Sequence, residues 1–79
     1  MGLSREDVDN IVAEHIAPIL AVDGGTAEVL SVDSDALSIT VRLGGTYRGN
    51  PCRGIVTAYV IRPILQKYCC EEIRVELAD

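Results

Sequence analysis

The chain has 79 residues and a formal net charge of -5 from seven basic and twelve acidic side chains, a balance that opposes non-specific attraction to nucleic acid or anionic membrane surfaces. Its 48% hydrophobic content, almost wholly aliphatic because Phe and Trp are absent, excludes a disordered tail and predicts one small domain over residues 1 to 79 with an aliphatic core. No apolar run reaches the ~18 residues of a spanning helix, and a domain this short buries only about 60–65% of its unfolded surface, so a partner or second copy is expected to reinforce it.

Ser4 precedes Arg5-Glu6-Asp7, a serine able to cap followed by acids in the first turn, which predicts a helix start. Val8, Ile11, Val12, Ile16, Ile19 and Leu20 recur at three- and four-residue intervals and mark the buried stripe of a helix over residues 5 to 22. Pro18 removes a backbone donor inside it, so the helix should kink near residues 14 to 18 or restart with proline in its first turn. Asp23-Gly24-Gly25 ends it.

Thr26 to Val32 then reads as a strand, and Ala36 to Leu43 as a second in which Leu37, Ile39, Val41 and Leu43 alternate with polar residues. Asp33-Ser34-Asp35 supplies turn chemistry, so the pair should form an antiparallel hairpin. After the loop GGTYRGNPCRG, residues 44 to 54, the run Ile55 to Tyr68 predicts a second helix interrupted by Pro63, and Ile73, Val75 and Leu77 alternate as a last strand. The order helix, strand, strand, helix, strand implies an α+β two-layer sandwich: a three-stranded mixed sheet with both helices on one face. The opposite face, carrying Ser38, Thr40, Arg42, Arg74 and Glu76, would meet solvent or a partner.

Cys52, Cys69 and Cys70 are an odd number in no secreted-scaffold spacing, and neighbouring Cys69 and Cys70 would close only a strained ring. Reduced thiols fit better, and the opening MGLSREDVDN lacks the basic and apolar regions of a leader, so the expected location is the cytoplasm. Nothing forms a Ser-His-Asp set or a convergent pair of carboxylates, so the chain is not expected to be an enzyme. His15 has no second histidine to join as a ligand, Glu6, Asp7 and Asp9 read as a solvated helix start, and Tyr59 and Tyr68 read as core of the second helix.

The loop supports two kinds of chemistry beside its plain role as a connection. Cys52 stands just before a helix start, between Arg48 and Arg53, where positive potential favours a thiolate able to ligate metal, although a lone Cys also commonly just packs. Alternatively, Arg48, Gly49, Arg53 and Gly54 form an anion site, glycines letting N–H groups converge and arginines supplying forked donors. The loop lacks the P-loop pattern GxxxxGK[ST].

With these elements placed, IAPILAVDGG, residues 16 to 25, resembles the opening of the NifU C-terminal domain, the Nfu-type iron–sulfur scaffold, in which Ile-x-Pro is followed by Asp-Gly-Gly at this distance. The resemblance extends from Val8 to Leu77. It implies a domain for iron–sulfur cluster assembly or transfer, working with assembly or recipient proteins and as a possible homodimer. It also implies a Cys-x-x-Cys pair in the loop before the second helix. Aligned through Leu43, Gly45 and Pro51, those two positions fall on Tyr47 and Asn50, so Cys52 is the one thiol left in the loop. The alternative is a metal-free adaptor that binds a protein or a small anion through residues 44 to 54 and the open sheet face.

Overall fold

The structure is a computed structural model that describes residues 4–49 and 51–78, so Asn50 lies outside the described residues. Helix α1, residues 5–21, joins an α-helical Arg5–Ile11, a π-helical Val12–Ile16 and an α-helical Ala17–Ala21. Helix α2, residues 53–68, repeats that build with α-helical Arg53–Val56, π-helical Thr57–Ile61 and α-helical Arg62–Tyr68.

The reason for the wide turns is written in the spacing of the buried side chains. In α1 these are Val8, Val12, Ile16 and Leu20, and in α2 they are Thr57, Ile61 and Leu65, with Cys69 packed against the same core. A stripe repeating every fourth residue drifts by about 40° per step around an ordinary helix. A π turn, of roughly 4.4 residues, drifts the other way and returns the stripe to the sheet. Proline makes the insertion easy. Pro18 and Pro63 each follow a π segment by two residues, and the carbonyls their missing N–H groups would have claimed, on Glu14 and Tyr59, lie inside those segments. In α2 the Thr57 hydroxyl also donates to the Arg53 carbonyl at 2.9 Å, a back-bond that bends helices.

The helix start differs from expectation in one detail. Ser4 occupies the N-cap position with extended backbone and its carbonyl accepts from Val8, but its hydroxyl makes no capping bond. Three of the expected core residues are also displaced: Ile19 is 47%, Tyr59 77% and Tyr68 46% exposed, because the four-residue stripe turns all three away from the sheet.

Strands β1 (Gly25–Asp33), β2 (Ser38–Gly45) and β3 (Arg74–Ala78) form one sheet in the order β1-β2-β3. β1 and β2 are antiparallel; β2 and β3 are parallel, in register from Ser38↔Arg74 to Arg42↔Ala78. A parallel neighbour requires a long crossover, which α2 provides. Ile39, Val41 and Leu43 point into the helix layer and are buried, while Arg42, Arg74 and Glu76 lie exposed on the other face. The mixed, two-layer α+β sandwich is therefore as the sequence implies.

Two irregularities lie beyond the simple alternation. Val29 pairs with Val41 and Val32 with Ile39, yet they are three residues apart, a spacing that would send them to opposite faces of a regular strand. A register shift between Val29 and Ser31 inserts Leu30 and restores the parity. The carbonyls at this bulge do not go unused: the Arg5 guanidinium donates to Val29 at 2.6 Å and to Leu30 at 3.1 Å, tying the start of α1 to the outer edge of the sheet. The second irregularity corrects the hairpin. Leu37, read as a strand residue, sits in the turn with φ 52°, and its carbonyl accepts from Arg74 at 2.8 Å. The Asp33 carboxylate accepts from the N–H groups of Asp35 and Ala36, an Asx turn that consumes the two residues before Leu37.

Between the layers Ile16, Leu20, Ile39, Ile61, Leu65 and Ile73 are fully buried. Each such aliphatic contributes about 1.5–3 kcal/mol relative to exposure, so these contacts hold the small domain together and fix where the loop between β2 and α2 emerges.

Candidate functional site

The glycine-rich segment leaves β2 and folds back on the end of α1. Gly24 and Gly45 both have positive φ, 78° and 62°, and a side chain on Gly45 would run into the Gly24 carbonyl. That close approach is what glycine permits. The Thr46 N–H donates to the Gly24 carbonyl at 3.1 Å and its hydroxyl donates to the Asp23 carbonyl. Tyr47 N–H then donates to Gly44 and Arg48 N–H to Gly45, so a tight turn closes over the Asp-Gly-Gly run.

Tyr47 is the centre of this junction. Only 8% of its surface is exposed, its ring lies where a side chain on Gly25 would stand, and its hydroxyl donates to the Asp23 carboxylate at 3.1 Å. Burial first, then the bond and charge of Asp23 and a smaller influence of Cys52, raise its phenol above the ordinary value. Tyr47 is thus a hydrogen-bonded packing residue of the loop, and Asp23 is a partner that sequence reasoning assigned only to ending the helix. Nothing in the spacing of the two residues along the chain signals the contact.

Cys52 stands at the N-cap of α2, exposed, with its carbonyl accepting from Val56. Arg48 is exposed and Arg53 half-buried, and both line one cleft with Arg42, Leu43, Gly44 and Gly45. Gly49 and Gly54, placed with the arginines on sequence grounds, are not among the described lining residues. Arg42 is the member that sequence reasoning missed, because it was read as part of the open sheet face. Cys69 caps the far end of α2, more than about 20 Å along the helix from Cys52. Burial, then Asp7 and Cys70, raise the Cys69 thiol. His15, half-buried, stacks on Tyr68 with centroids 4.1 Å apart and faces that same far end. Among the described residues no three His, Cys, Asp or Glu side chains cluster as a metal would need.

A protein-family model described as the NifU-like domain matches residues 8–76, almost the whole of the fold just described. The chain belongs to the NifU-like domain family. No match was found among curated proteins. Membership carries a role in iron–sulfur cluster assembly at the level of the family, and no described helix is long and apolar enough to cross a membrane. The donor chemistry sets a condition on that role. Iron in such clusters is commonly held by four thiolates, whereas this NifU-like domain offers Cys52 alone at the loop, since Cys69 and Cys70 lie beyond the opposite end of α2.

Proposed function

We propose that this NifU-like domain takes part in iron–sulfur cluster assembly or transfer through a depleted loop, with Cys52 as its one ligand and the cluster as cargo. The observation that carries the reading is the placement of Cys52: exposed, at the N-cap of α2, in the loop that follows the Asp-Gly-Gly contact. Two copies pool two Cys52 thiolates, and thiols of an assembly or recipient protein complete the shell. Handover then proceeds by exchange of one thiolate for another at iron, with no bond-making catalysis by the domain. Tyr47 fits a depleted loop: at a position where the family resemblance implies a ligand, the chain places a buried ring bonded to Asp23.

The test is anaerobic reconstitution with iron and sulfide, read by visible absorption and light-scattering mass. The expected result is colour in the wild type that appears with a doubling of mass and is lost in Cys52→Ser. A colourless wild type at stoichiometric iron, or equal colour in both proteins, would overturn ligation by Cys52. The burial of Tyr47 favours a second reading, a metal-free adaptor that keeps the fold and presents its open sheet face to a protein. That reading expects a colourless wild type that still captures a cluster-assembly partner.

A further inference from the structure

Three of the seven basic side chains in the molecule, Arg42, Arg48 and Arg53, line a single cleft of about 400 Å³. Acids outnumber bases twelve to seven in the chain, yet no acid is among the described lining residues of the cleft. It is a positive concavity on a negative molecule, and such a concavity focuses potential on anions. Arg42 also pairs with Glu28 at 3.2 Å on the open sheet face, but both side chains are at least half exposed and the pair is weak enough to yield. Arg48 has no acidic partner among the described residues.

The backbone narrows the chemistry further. The N–H groups of Thr46, Tyr47 and Arg48 are spent on the carbonyls of Gly24, Gly44 and Gly45, so the turn does not offer the ring of free amides expected from its glycines. Recognition is left to guanidinium groups, planar forks that match the oxygens of phosphate or carboxylate. The volume falls within the range of small-ligand sites, about 300–1,000 Å³. The position agrees: the cleft is lined by the last residues of β2 and the loop that follows, at the carboxyl end of the strand, where the chain leaves the sheet for the crossover to β3, the side on which parallel β-α-β units hold ligands. A long polyanion such as nucleic acid would meet the repulsion of the net -5 charge around it.

We propose that this cleft binds a small polyanion through forked bonds from Arg42, Arg48 and Arg53 to its phosphate or carboxylate oxygens. The site stands whether or not the domain carries a cluster.

Calorimetric titration of the full chain at about 20 mM ionic strength, where screening is weak, tests it with pyrophosphate and with tricarballylate. One-site binding of either supports the cleft, and the stronger of the two names the oxyanion. Arg48→Gln and Arg53→Gln should each weaken binding roughly tenfold or more. Arg48→Lys, which keeps the charge and loses the fork, should fall between. Arg62→Gln, on α2 away from the cleft, should stay within about twofold. Failure of both anions to bind the wild type, or equal weakening by Arg62→Gln, would overturn the site. So would tighter binding of a Glu-rich peptide than of either small anion, which would give the cleft to a protein. Arg48 is exposed, so its variants keep the fold and decide the matter even if Arg53→Gln does not. All of these variants retain Cys52, so the colour test of cluster ligation is read separately.

Discussion

The Tyr47 hydroxyl donates to the Asp23 carboxylate across the gap between the β2 exit and the end of α1, and its ring covers Gly25 as it does so. Two glycine-bearing segments are thereby fastened face to face. Tyr47→Phe removes the bond to a charged acceptor and keeps the ring, so thermal unfolding should fall by roughly 5–10 °C. Tyr47→Ala, which also empties the space over Gly25, should fall clearly further. Equal midpoints for the two variants would mean that the ring contributes nothing.

The same tyrosine gives stability a pH dependence at the alkaline end. Its phenol is raised in the folded state, chiefly by burial and then by Asp23, so the unfolded chain gives up the proton first. The contribution is fully present below about pH 10, the ordinary phenol value, and is lost as pH rises through the folded value. Urea midpoints taken between about pH 9 and pH 11 should therefore fall more steeply for wild type than for Tyr47→Phe. Parallel curves would remove Tyr47 as the cause.

Gly25→Ala places a methyl group into the Tyr47 ring, with the Leu20 carbonyl also close at 3.3 Å. Overpacking of this kind costs about 1–3 kcal/mol. In a Tyr47→Ala background the cost should shrink, because the ring is what the methyl meets. A double-mutant cycle by urea unfolding measures the coupling.

Arg5→Ala withdraws both donors from the bulge carbonyls of Val29 and Leu30. Loss of two partly exposed bonds should cost about 1–2 kcal/mol, and Arg5→Lys, with no fork to reach both oxygens, should recover less than half. Hydrogen exchange should show faster opening along β1 before β2.

Restoring the sulfur pair tests the depleted reading from the other side. Tyr47→Cys combined with Asn50→Cys should take up more iron and sulfide than wild type on anaerobic reconstitution while melting at lower temperature, because the new thiols come at the expense of the buried ring. No gain in colour would show that these two positions do not correspond to the family pair.

Much of the architecture was legible because it follows from local signals: the element order, the antiparallel hairpin with its turn at Asp33-Ser34-Asp35, and the interruption at each proline. What escaped depends on side chains that capture nearby backbone, on strand register, and on contacts between distant segments. The alternation that placed Leu37 in a strand is real in sequence, but the Asp33 side chain captures the next amides and Leu37 is carried into the turn. The parity error at Val29 and Val32 was visible as a three-residue gap and went unread as a bulge. At the site, Cys52 at the mouth of α2 and the pairing of Arg48 with Arg53 followed from their proximity along the chain. Arg42 joins them only through the register of β2, and Asp23 meets Tyr47 only because two glycines allow the backbones to touch.

The four-residue beat of both helices limits how the chain can change in length. Deleting one residue inside either π segment would give back an evenly wound helix that still turns Leu20 or Leu65 toward the sheet, whereas deleting Ile19 or Ile64, where no wide turn can absorb the loss, would swing everything downstream by about 100° and carry Leu20 or Leu65 out toward water. Counting, as much as composition, therefore carries structural information in these two segments: a change of one residue in length can be absorbed at the wide turns and not on either side of them.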